Sequence, residues 1–278
     1  MSNEITNLVR TYDRDRYLSA LLAPESARPH LMALYAFNAE ISRIASQVSE
    51  PQLAEIRLQW WLDTLDSIYF GDPQAHPVAK ALGAAIKVGD IPKFALQRLA
   101  KAHQIDFYSD PLSSLHDLEA HLGETESSLI KMAAMILNHD AALECNEAAG
   151  LAGVAYGLMR VINHLPEARK LKQNLIPDDM LVARQIARDG FYRDEHEAGA
   201  LVLLADLRNH AAQRLSEARS KAWTVKAEVH PAFLHLALTG AYIAKAATKG
   251  AAVRGQGCDF SQLRKQWLLW KASYTGSY

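Results

Sequence analysis

The run GLAGVAYGLMRVINHLPEARKLKQNLIPDDML, Gly150 to Leu181, governs how the rest of the chain is read. From Leu151 to Leu165 its apolar residues recur at three- and four-residue steps, the pattern of a helix with one buried face. On a second face, Gly153, Gly157, Arg160 and His164 follow spacings of four, three and four and so align along one side. Pro166 cannot donate to the backbone ladder and crowds the turn before it, so the helix is expected to be interrupted there. Beyond it, Arg169, Lys170 and Lys172 form a basic stretch that ends at Pro177.

The same period extends outward in both directions. Comparable stripes run through Leu31–Val48, Leu53–Ile68, Phe94–Ile105, Leu118–Leu137, Ala198–Ala222 and Pro231–Ala247, with Pro and Gly breaks between them. No alternating segment of useful length suggests a strand. The expected fold is therefore all-α, a single domain over residues 1–278 built of about eight to ten helices.

Composition narrows the function classes. With 278 residues, 49% of them hydrophobic, the chain can bury a sizeable core, and a formal net charge of -1 argues against a nucleic-acid partner. Cys145 and Cys258 have no ligand-like spacing, which fits a reducing, cytoplasm-like compartment. The polar start MSNEITNLVRTYDRDRY does not read as a secretory signal, and no window approaches the roughly 20 apolar residues of a membrane span. The expectation is a soluble cytoplasmic protein, at most peripheral on an inner membrane.

Two helices carry the candidate site. On Ala27–Pro51 the face opposite the apolar stripe bears Tyr35, Ala39, Ser42 and Ser46, small or weakly polar where a surface helix would carry Lys and Glu. Such a face either packs closely against another helix or lines a cavity. His164 and Glu167, three apart, could converge on a transition metal, but no second donor pair completes a site, and a histidine paired with a carboxylate is the simpler reading. Arg160, Arg169, Lys170 and Lys172 suit a phosphate-bearing anion, a prenyl diphosphate or a phospholipid head group, or else form a solvated basic loop.

The Gly150–Leu181 stretch resembles the second aspartate-rich helix of the squalene/phytoene synthase family, with its basic loop and Leu-Ile-Pro exit. The segment after Leu34-Tyr35-Ala36-Phe37 is similar to the first. The resemblance implies an isoprenoid-synthase-like bundle with a central cavity, where carboxylates on two helices hold magnesium bridging prenyl diphosphates. At the matching positions stand Ser42 and Ser46, with Arg43 beside the first, and Gly157, Arg160 and His164, leaving only Glu167 of the acidic set. Serine hydroxyls are weak magnesium ligands and a guanidinium offers no lone pair, so no metal, no cofactor and no catalytic residue is expected.

The Phe37–Glu40, Arg57–Trp61 and His76–Ala79 motifs and the run Gly123–Leu137 resemble a branch of that family, the complex I assembly factors of mitochondria and their α-proteobacterial relatives. That likeness implies a non-catalytic assembly or stability factor, with complex I subunits or an inner-membrane surface as partners and a prenyl or lipid anion as ligand. The alternative is an active prenyl-diphosphate transferase joining two prenyl diphosphates head to head, with magnesium held by atypical ligands.

Other residues have structural readings. Trp60 and Trp61 are expected to fill core space, His76-Pro77 to start a helix, and the hydroxyls of Thr125–Ser128 to bond the preceding turn rather than form a polar patch facing the cavity. Gln262–Tyr274 mixes Arg264, Lys265 and Lys271 with Trp267 and Trp270. It either docks on the protein's own core or rests on a membrane or partner.

Overall fold

The computed structural model describes residues 3–48, 50–72, 75–108, 112–171, 175–192, 196–276 and 278. Among them no strand occurs. The first half comprises α1 (Asn3–Tyr12), α2 (Arg14–Leu21), α3 (Arg28–Ser42), α4 (Ile44–Gln47), α5 (Pro51–Tyr69), α6 (Pro77–Gly89), α7 (Lys93–Ala102) and α8 (Leu115–Leu122). The second comprises α9 (Ser128–Leu137), α10 (His139–Glu144), α11 (Asn146–Leu171), α12 (Asp178–Val182), α13 (Glu197–Ser220), α14 (Thr239–Lys249), α15 (Val253–Gln256) and α16 (Gln262–Thr275). The all-α expectation is met. The helices outnumber the sequence estimate because several are single turns set off from a longer neighbour.

Local signals account for many boundaries. Pro51 and Pro77 open α5 and α6, where a missing N–H is harmless, and His76 caps α6 in an extended conformation as the sequence implied. Ser114 and Asn138 cap α8 and α10 by accepting from the backbone N–H of Asp117 and Ala141. The Leu31–Val48 stripe divides at Arg43, whose guanidinium lies 3.5 Å from the centre of the Tyr12 ring on α1. Pro231–Leu238 is largely 3₁₀ rather than α-helical.

Two helices organise the core. Every residue of α3 from Leu31 to Ala39 is buried, as its lack of a charged face required, and it packs against α1, α6 and α9. α11 lies along α13 and meets α8, α9 and α15. Contrary to expectation, α11 runs unbroken through Pro166. Burial of Leu165 and Ala168 and the bond from the Cys258 N–H to Asn163 Oδ1 (2.8 Å) hold the helix on both sides of the proline. Tertiary packing thus offsets the roughly 3 kcal/mol penalty of an interior proline.

Between α8 and α9, Gly123–Ser127 forms one π-helical turn. α11 presses closely on it: a Cβ on Gly153 would stand 2.3 Å from Ser127 Oγ and 2.4 Å from its Cα, and one on Gly157 would stand 2.6 Å from Leu122 Cδ2. The glycine face of α11 is therefore a helix contact. Ser127 seals it by donating to the Gly150 carbonyl at 2.8 Å, while Thr125 and Ser128 bond the preceding turn as expected.

Candidate functional site

The π turn aims Glu126 at the next residue along the glycine face of α11, Arg160, whose Nη1 donates to Glu126 Oε1 at 2.9 Å. The second carboxylate oxygen accepts from Arg16 of α2. Arg16 has no exposure at all and also donates through Nη1 to Asp13 Oδ2 at 2.8 Å, while Arg160 Nη1 lies 3.9 Å from that same oxygen. Asp13 further caps α2 by accepting from the Arg16 N–H. Two guanidinium groups and two carboxylates thus close on one another.

Arg16 occupies the space between the two motif-bearing helices. Its guanidinium sits 5.9 Å from the ring centre of Tyr35 on α3 and 5.3 Å from that of Tyr156 on α11. Burial opposes ionisation of Glu126, but Arg16 and Arg160 outweigh it and hold the carboxyl well below the usual carboxylate range. Burial likewise works against the Arg16 cation, and Glu126 and Asp13 more than reverse that effect. His235, wholly buried with its ring 4.7 Å from that of Tyr156, is pushed far down by burial and then by Arg16, so its imidazole is neutral.

The neighbouring acid of α2 points elsewhere. Asp15 Oδ1 accepts from Lys265 of α16 at 2.8 Å. Its Oδ2 accepts from the Tyr242 hydroxyl at 2.6 Å and the Tyr156 hydroxyl at 3.2 Å. Lys265 also pairs with Asp259 at 2.7 Å. Burial disfavours the Lys265 cation, but Asp15 and then Asp259 raise its pKa above the ordinary value. The short α2 thus anchors two polar clusters, one reaching α11 and the π turn, the other α14 and the C-terminal α16.

The residues singled out in the sequence fall into three groups. Tyr35, Gly157 and Arg160 belong to the buried cluster or its packing. Ser42 and Ser46 turn back on their own helices, donating to the carbonyls of Ala39 (3.4 Å) and Arg43 (2.9 Å). His164, Glu167, Arg169 and Lys170 lie on the exposed end of α11, and Lys172 lies outside the described residues. His164 Nδ1 donates to the Arg160 carbonyl at 2.8 Å, not to Glu167, because that carbonyl lies one turn back; Glu167 pairs with Lys170 at 3.1 Å.

This donor set does not fit magnesium. The hydroxyls at 42 and 46 are committed to backbone carbonyls, and the carboxylates nearest Arg160 are committed to guanidinium groups. Among the described residues no three His, Cys, Asp or Glu side chains group as a metal site. Asp13, Asp15, Arg16 and Glu126 were not singled out as site residues in the sequence, and Lys265 entered only as part of the mixed C-terminal helix. The available clue was Arg160 itself, a cation on a face of glycines that demanded a buried counter-charge.

The family model described as squalene/phytoene synthase matches residues 9–271. Complex I assembly factor 6 from Homo sapiens is 28% identical over 227 residues, 82% of this chain and 68% of that protein. Its Drosophila melanogaster homolog is 29% identical over 244 residues, covering 85% and 72%. A ligand-bound dehydrosqualene synthase superposes with a TM-score of 0.85 at 14% identity, over 99% of this chain and 96% of that one. Squalene synthase HpnC from Alicyclobacillus acidocaldarius gives 0.75 at 17% identity, over 89% and 93%. At those identities the superpositions speak to fold alone.

Proposed function

This chain belongs to the squalene/phytoene synthase family, and we propose that within it the chain is a non-catalytic member acting as an assembly or stability factor for respiratory complex I. The observation that carries the reading is the closure of Arg16 and Arg160 on Asp13 and Glu126. Ionising an allylic diphosphate requires positive charge to receive the leaving group. In this cluster both cations are already matched by carboxylates, and Ser42, Ser46 and His164 supply no metal-binding replacement. The relatives named as complex I assembly factors, similar over more than four-fifths of the chain, supply the class of partner.

The prenyl or lipid anion belongs, on this reading, at the exposed end of α11 beside Arg169 and Lys170 rather than in the buried cluster. Two measurements test the proposal. Incubated with farnesyl or geranylgeranyl diphosphate, magnesium and NADPH, the purified protein releases no diphosphate above an empty control; a condensed hydrocarbon product would establish the transferase instead. Deletion of the gene in its native host lowers complex I abundance and NADH-driven respiration, and unchanged levels of both would remove the assembly role.

A further inference from the structure

The two faces of α16 have opposite fates. Lys265, Leu269 and Ala272 are buried and, at 100° per residue, occupy one sector of the helix. Directly opposite, Leu263, Trp267, Trp270 and Tyr274 follow steps of four, three and four and are 79%, 56%, 60% and 85% exposed. The helix therefore does dock on the protein's own core, through Lys265, Leu269 and Ala272, yet it leaves Leu263, both tryptophans and Tyr274 outside. That exposed aromatic stripe on the far side of a docked helix is the feature to be explained.

Charge follows the same division. Arg264 and Lys271, seven residues apart, are both exposed on one flank of the aromatic stripe, with Lys271 Nζ 5.5 Å from the Trp267 ring centre. α16 contains no Asp or Glu, and its remaining cation, Lys265, is paired internally with Asp15 and Asp259. The outward face is thus cationic on a chain whose formal net charge is -1. Ala222 lines a groove with Leu268 and Lys271, which brings the 82% exposed Trp223 to the same end of the molecule. Aromatic rings with flanking Arg and Lys match the chemistry of the headgroup boundary, where a ring has an apolar body and a polar rim to satisfy.

We infer that the outward face of α16 is a docking surface for a lipid bilayer with anionic headgroups, the aromatic stripe entering the boundary and Arg264 and Lys271 meeting lipid phosphates. No described helix is long and apolar enough to cross a membrane, so the contact is interfacial. This inference goes beyond the assembly reading and stands or falls separately from it.

The test is flotation of the full chain with vesicles of phosphatidylcholine alone or with added phosphatidylglycerol. At about 1 kcal/mol per surface-adjacent cation, R264Q/K271Q weakens binding to the anionic vesicles roughly 30-fold. W267S/W270S abolishes it, and both variants keep the parent's thermal unfolding because the side chains are exposed. In the unaltered protein, brominated lipid quenches tryptophan fluorescence. Absence of flotation with anionic vesicles, or flotation and quenching indifferent to both double variants, overturns the assignment. So does concentration-dependent dimerisation that W267S/W270S removes without any vesicle binding.

Discussion

Replacing Arg16 by methionine removes the cation on which Asp13 and Glu126 both depend while keeping much of the side-chain volume. Glu126 would then keep Arg160 at 2.9 Å as its cation, and Asp13 the same guanidinium at 3.9 Å besides its cap to the backbone N–H of residue 16, both carboxylates remaining buried. Deleting one partner of a buried ion pair costs about 3–5 kcal/mol, because the stranded charge keeps its desolvation penalty. At about 2–4 °C per kcal/mol for a chain of this size, R16M should lower the melting temperature by roughly 6–20 °C. R16M/E126M removes the stranded carboxylate as well, and Arg160, a quarter exposed, can turn to solvent. The double variant should therefore be less unstable than the two single losses added, by about 1–3 kcal/mol of coupling. Urea unfolding of the four proteins, read only where the m-values agree, measures both quantities. R98M serves as the control: Arg98 pairs with Glu124 at an exposed site, so its loss should cost under about 1 kcal/mol. An R16M cost as small as that of R98M, or strict additivity in the cycle, would refute the closed-cluster argument.

The depressed pKa of Glu126 fixes a pH dependence of definite sign. Its stabilisation is present above the unfolded carboxyl value of about 4.3 and is lost as pH falls toward the lower folded value, so E126Q should flatten the acid limb of a stability–pH curve. G153A should destabilise by about 1–3 kcal/mol or more, since its Cβ would meet the Ser127 backbone, whereas G150A, with nothing within 4 Å, should gain up to about 1 kcal/mol; equal melting shifts would contradict the packing described. K265M strands Asp15 and should loosen α16, seen as faster amide exchange in residues 262–275 than in α11; unchanged exchange would mean that Leu269 and Ala272 alone hold the helix.

How far the sequence disclosed this structure depended on whether a signal was local. The stripe on α3, with no charged face anywhere between Leu31 and Ala39, could only be buried on both sides, and it is. The helix start at His76-Pro77 depends on one dihedral and one missing donor, and it appears as read. Pro166 misled because its local penalty was weighed without Cys258 and the buried neighbours that hold α11 together, contacts that include one to a residue 95 positions away from Asn163. The polar cluster escaped for the same reason. Residues 16, 126 and 160 come together only when α2, the π turn and α11 pack, and a charge destined for a counter-charge looks in sequence like any solvated charge. Trp60 shows the limit of composition: it is 38% exposed while Trp61 beside it is buried, with Phe37 and Trp60 both edge-on to the Trp61 ring.

The proposed non-catalytic role turns on how the same cluster would meet a diphosphate. Such a ligand needs cationic groups whose charge is unmatched before it arrives. To take Arg160 it would have to displace Glu126, leaving that largely buried carboxylate dependent on Arg16 alone. The penalty is of the order incurred by breaking a buried pair, about 3–5 kcal/mol, and the ligand must recover it before any net affinity appears. Charge that in a metal-dependent site would be held ready for a substrate here joins three segments of the chain, and it is on this joining that the proposed non-catalytic role depends.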